Sequence, residues 1–151
     1  MTIAVGQKAP PFKLPSTKGE VSLAAELKQG PVLLVFYPGD DTPVCTKQLC
    51  NYRDNLDSFA DLGVRVVAIN PQSIDSHNKF AVKYDLPFPV VSDGDGEVCR
   101  AYGAKNFLGM TKRQLVLVGR DGVVKWSDSN LPIFHQTAAD IRAAIAGLDL
   151  A

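Results

Sequence analysis

Two cysteines with four residues between them, Cys45 and Cys50, lie in the stretch Tyr37-Pro38-Gly39-Asp40-Asp41-Thr42-Pro43-Val44-Cys45-Thr46-Lys47-Gln48-Leu49-Cys50. A thiol reacts as its thiolate, so the useful question is what would ionise it. The stretch follows a continuous apolar run, Pro31 to Tyr37, which reads as a fully buried strand, and it leads into helical spacing. Thr42 suits the N-cap, and Pro43 suits the first helical position, where a missing N–H costs nothing. Cys45 therefore falls in the first helical turn, facing unpaired backbone N–H groups and the positive end of the helix dipole. Both favour thiolate, so Cys45 is expected to be acidified and reactive. The alternative is a small buried hydrophobe, and the polar Gly-Asp-Asp turn and the nearby second thiol argue against it.

The spacing to Cys50 adds a constraint. On an intact helix, residues five apart are separated by ~7.5 Å along the axis. A disulfide needs Cα atoms closer than ~7 Å. A Cys45–Cys50 bond thus requires local unwinding, as expected of a bond made and broken in a reaction cycle. A zinc site is poorly served, because the cysteine spacing is wrong and only two histidines, His77 and His135, are present.

The elements that must hold this stretch can be read in order. Ala9 to Leu14 and a strand beginning at Val21, joined by Ser16-Thr17-Lys18-Gly19, make an N-terminal hairpin, which Pro10 and Pro11 confine to an edge. Leu23 to Lys28 is a short helix stopped by Gly30. Thr42 to Asp61 reads as one helix, with Leu49, Tyr52, Leu56, Phe59 and Ala60 on one face, and Val64 to Asn70 is a second core strand. Ser73 caps a helix reaching Tyr84, Phe88 to Val91 is extended, and Gly96 to Tyr102 is a short helix. Arg113 to Val118 and Val123 to Ser127 form an antiparallel hairpin through Arg120-Asp121-Gly122, and Thr137 with Asp140 opens a last helix. The strand–helix alternation implies parallel pairing through right-handed crossovers.

Composition narrows the function. At 151 residues the chain is expected to be one domain, 1–151, with no need of metal or disulfide support. Acidic and basic residues balance at 16 each, which gives no field for nucleic acid or an anionic membrane and permits a small neutral substrate. No apolar run approaches the ~20 residues of a membrane span, and the first residues lack the features of a signal peptide. A cytoplasmic protein is expected, and three cysteines there point to redox chemistry.

Pro38-x-x-x-Thr42-x-x-Cys45 resembles the active-site signature of the peroxiredoxins. The longer stretch through Cys50 is similar to their bacterioferritin comigratory protein or peroxiredoxin Q subgroup, and the likeness extends over nearly the whole chain. The resemblance implies an α/β, thioredoxin-like fold: a central mixed sheet flanked by helices, with the N-terminal hairpin added. It implies a peroxidase acting on hydrogen peroxide and organic hydroperoxides without a cofactor or metal. Cys45 would be the nucleophile and pass through a sulfenic acid, and Cys50 would resolve it as an intramolecular disulfide. A thioredoxin-like or glutaredoxin-like reductant would then reopen the bond. Thr42 would offer its hydroxyl, Pro38 would shield the sulfur, and Arg113 would supply the positive charge, with Arg53 and Arg65 as lesser candidates. Cys99 is expected to be a half-buried structural thiol and the fallback resolving residue. Phe107 to Met110 and Pro132 to Phe134 are expected to wall the substrate pocket.

Two positions depart from the pattern. Gln48 stands where relatives commonly carry Glu, replacing a carboxylate contact to Arg113 with an amide. Val44 replaces a frequent glycine and stiffens the turn. With an internal resolving cysteine the protein is expected to work as a monomer. The alternative reading is a thiol-disulfide oxidoreductase of the same fold, although such enzymes normally place two residues between their cysteines. An acid–base enzyme built on Asp40 and Asp41 is disfavoured, since adjacent aspartates in a turn are mostly solvated.

Overall fold

The computed structural model describes residues 3–105, 109–129 and 136–150. Its centre is the strand before the cysteines. Val32–Phe36 (β3) is buried at every position, as expected of a strand covered on both faces. Alternate side chains therefore serve two cores. Leu33, Val35 and Tyr37 join one cluster with Tyr52, Phe59, Leu115 and Leu117. Val32, Leu34 and Phe36 join the other with Ile69, Tyr102 and Val116.

Arg65–Asn70 (β4) runs parallel to β3, and Val90–Ser92 (β5) runs parallel to β4. On the other side of β3, Gln114–Val118 (β6) is antiparallel and pairs with Val124–Ser129 (β7). The N-terminal hairpin, Lys13–Ser16 (β1) and Gly19–Ser22 (β2), joins β5 through Ser16 opposite Val91. The seven-stranded order is β2-β1-β5-β4-β3-β6-β7. With helices Leu23–Gln29 (α1), Pro43–Asp54 (α2), Leu56–Ala60 (α3), Ile74–Tyr84 (α4), Glu97–Ala101 (α5) and Ala138–Ile145 (α6), this is the expected thioredoxin-like arrangement.

The single helix expected from Thr42 to Asp61 is two. Asn55 leaves helical geometry at φ −120° and ψ 27°, and its backbone N–H and side-chain amide both donate to the Asn51 carbonyl. A short polar side chain has competed with the helix for its own backbone. The caps elsewhere follow the sequence: Ser73 accepts from the Ser76 N–H, and Thr137 and Asp140 form a reciprocal capping box. The hairpin strand starts at Lys13 rather than Ala9, beyond the two prolines that cannot donate to a ladder.

The parallel strands β3, β4 and β5 end at one edge of the sheet, and the turns after them meet there. In open α/β sheets this edge carries the ligand site. No helix among the described residues is long and apolar enough to cross a membrane.

Candidate active site

The turn after β3 delivers Cys45 to the first turn of α2, as the sequence predicts. Thr42 is the residue before the helix, Pro43 is its first residue, and the Thr46 N–H makes the first helical bond to the Thr42 carbonyl. Val44 and Cys45 therefore occupy positions whose amides lack partners within the helix. Thr42 caps by position only, for its hydroxyl donates to the Gly39 carbonyl at 3.0 Å and makes no bond to the helix. Pro38 is partly buried at the start of the turn.

Cys45 is also buried, 1% exposed, which the polar turn had argued against. That burial follows from α2, which lays one face on the sheet. Cys45, Gln48, Leu49 and Tyr52 fall at helical spacing on that face and are all buried. Beneath them lies Arg113, one step before β6. The last ladder pair is Phe36 with Gln114, so the next step sets Arg113 across from Tyr37, where the turn that carries Cys45 begins.

Arg113 is 2% exposed, and its guanidinium reaches two groups on α2. Nη2 donates to Cys45 Sγ at 3.2 Å, and Nη1 donates to Gln48 Oε1. Arginine is always protonated and only donates, so the sulfur is the acceptor, and thiolate is the form that accepts best. The amide at position 48 thus holds Arg113 much as a carboxylate would, without a second negative charge beside the sulfur. The far end of Gln48 is fixed in turn: its Nε2 donates to Tyr52 Oη at 3.0 Å, and Tyr52 Oη donates to the Gln136 carbonyl at 2.6 Å. Tyr52 was visible in the sequence only as a core position of α2.

The other arginines lie elsewhere. Arg53 binds Asp54 and donates to the Tyr84 carbonyl, while Arg65 pairs with Glu26 at the opposite end of the sheet, at the start of β4.

Cys50 is half-buried and unbonded, and α2 is wound between it and Cys45. Burial pushes its thiol up, partly offset by Arg53. Cys99 is fully buried on α5, in the cluster on the other side of the sheet from Cys45. It is more deeply placed than the sequence suggests. Burial and then the Asp93 carboxylate, which also accepts from the Cys99 N–H at 2.7 Å, push this thiol up to about 12.

The two aspartates of the turn are not simply solvated. The Asp40 side chain is 4% exposed and meets His77, Ser76 and Tyr37. Asp41 is exposed, at a left-handed φ of 57°, and accepts from Lys83 Nζ at 2.8 Å and Tyr84 Oη at 2.6 Å. Of the expected pocket walls, Met110 is exposed; 107–108 and 132–134 lie outside the described residues, as does His135.

Residues 5–127 match the AhpC/TSA family. A Bcp relative from Coxiella burnetii is 43% identical over 131 residues, covering 82% of this chain and 87% of its own. The peroxiredoxin Bcp of Bacillus subtilis is 34% identical over 130 residues, covering 81% and 82%. Among solved structures, the peroxidoxin BcpB of Mycobacterium tuberculosis superposes with a TM-score of 0.81 at 31% identity, over 94% of this chain and 92% of that one. With this family match and these relatives, the chain belongs to the AhpC/TSA family and is a thiol-dependent peroxidase.

Proposed function

We propose that Cys45 is the thiol that attacks peroxide and Cys50 the thiol that resolves it. The observation that carries this reading is the buried Arg113 guanidinium donating to the buried Cys45 Sγ. The thiolate attacks the terminal oxygen of a hydroperoxide. The S–O bond forms as the O–O bond breaks, and the bonding pair leaves on the remaining oxygen, which takes a proton as water or alcohol. A fixed positive charge beside the reacting atoms lowers the cost of that developing anion.

Thr42 and the helix amides orient the peroxide. The Thr42 proton is already given to the Gly39 carbonyl, so its oxygen is left to accept the peroxide O–H. The Val44 and Cys45 N–H groups donate to the peroxide oxygens, and Pro38 keeps water from the sulfur. Hydrogen peroxide and organic hydroperoxides share the O–O–H group this cradle reads.

Resolution needs motion. Cys50 sits on the same wound helix, so α2 unwinds to bring the sulfurs together. The Cys50 sulfur attacks the sulfenic acid, S–S forms, S–O breaks and the hydroxyl leaves as water. An external thioredoxin-like or glutaredoxin-like dithiol reduces the bond by exchange. One chain holds both thiols and completes the cycle as a monomer.

The test is intact mass after one equivalent of peroxide. Wild type loses two hydrogens, Cys50→Ser gains one oxygen and stops, and Cys45→Ser stays unchanged. A Cys50→Ser protein that still loses two hydrogens within one chain would assign resolution to Cys99.

A further inference from the structure

In the sequence, His77 has no evident catalytic role and Asp40 reads as a solvated turn residue. The structure joins them directly behind the catalytic turn. His77 is fully buried, and the Asp40 side chain is 4% exposed. His77 Nδ1 lies 2.7 Å from Asp40 Oδ2, while Nε2 lies 3.1 Å from the Val91 carbonyl on β5. The same carboxylate accepts from Ser76 Oγ at 2.6 Å and Tyr37 Oη at 2.5 Å. The Asp40 backbone N–H donates to Gln72 Oε1 at 2.6 Å, on the loop after β4.

A buried carboxylate with three side-chain donors is costly unless every donor is in place. These donors come from Tyr37, just past β3, and from α4, and the backbone partner from the β4–α4 loop. Asp40 therefore ties the turn to α4 through its carboxylate and to the β4–α4 loop through its backbone. Asp40 stands two residues before Thr42 and five before Cys45, on the stretch whose backbone must aim the peroxide cradle.

We propose that Asp40 and His77 are positioning residues for peroxide reduction: their buried contact sets the orientation of the turn that carries Thr42 and Cys45. This rests on the assignment of Cys45 as nucleophile. The pair touches neither sulfur nor substrate. It acts through the backbone of the turn, so it affects reactions that need an aligned O–O bond more than reactions that need only the sulfur.

Isosteres separate positioning from packing. Asparagine at position 77 offers an amide N–H close to where Nδ1 lies, facing Asp40. Glutamine offers one close to Nε2, facing Val91, and fills more of the histidine volume. In a Cys50→Ser background, two rates are measured for each variant: oxidation of Cys45 by hydrogen peroxide and alkylation of Cys45 by iodoacetamide. His77→Gln should slow peroxide oxidation about tenfold or more, with alkylation changed less than about threefold. His77→Asn should restore most of the peroxide rate. Ser76→Ala, which removes one donor from the partly buried edge of the cluster, keeps the test open if the histidine variants fold poorly, and should slow peroxide oxidation alone.

Equal rates in His77→Gln and His77→Asn, or parallel losses in oxidation and alkylation, would overturn the proposal. Failure of the underlying assignment reads differently: Cys45→Ser would still consume peroxide.

Discussion

Cys45 and Cys99 are equally hidden from water, at 1% and 0% exposure, yet they sit in opposite electrostatic settings. Cys45 lies on one side of the sheet with the Arg113 guanidinium on its sulfur. Cys99 lies on the other side with the Asp93 carboxylate next to it, which adds to burial in pushing the thiol up to about 12. Burial alone thus does not tell the two thiols apart. The sign of the nearest fixed charge separates a candidate nucleophile from a packing residue.

The comparison is broken most forcefully at the charge. Arg113→Gln should slow oxidation of Cys45 by hydrogen peroxide on the order of a hundredfold, read by stopped flow, because it removes both the positive charge and a donor at the reacting atoms. Gln48→Leu keeps the charge but removes the acceptor that holds the guanidinium. A loss of about tenfold is expected, the cost of one charged hydrogen bond. Arg113→Gln that reacts as fast as wild type would mean that the sulfur does not depend on the guanidinium.

Acid offers a gentler probe of the same side of the sheet. Burial would push the Asp40 carboxyl up, but hydrogen bonds from His77, Ser76 and Tyr37 outweigh it and hold it below the usual carboxylate value. A depressed folded value adds stability that is fully present above the unfolded value and is lost as pH falls through the folded one. Melting temperature in acid should therefore fall with Asp40 protonation, and Asp40→Asn should lack that component. The smallest effect belongs to the other thiol. Cys99→Ala should leave the peroxide rate unchanged and cost about 1 kcal/mol in a urea titration, as a modest core truncation. A Cys99→Ala enzyme that fails to close a disulfide would reassign the resolving thiol.

Much of this was legible in the sequence because it was local. The helix start at Pro43, the caps at Ser73 and Thr137, and the apolar run of β3 each follow from neighbouring residues, and the structure repeats them. Arg113 could not be placed by local chemistry. An arginine before a strand is ordinarily surface charge, and only the resemblance to a family pointed at it. Its burial follows from the register of β6 on β3, which brings residues 65 and 68 positions apart into contact. The same holds for Asp40 with His77, separated by 37 positions, and for Tyr52 with Gln136, separated by 84. A turn rich in aspartate reads as solvated until the helix that covers it is known. Asn55 acts locally instead: its side chain interrupts a helix whose apolar spacing runs straight through it.

The most direct measurement sets the two buried thiols side by side: the rate at which reduced Cys45→Ser and Cys99→Ser proteins consume hydrogen peroxide in a stopped-flow experiment. The charge environments predict that Cys45→Ser is inert and that Cys99→Ser matches wild type. Rapid peroxide consumption by Cys45→Ser, or its loss in a folded Cys99→Ser protein, would contradict the assignment of the nucleophile to the thiol beside Arg113.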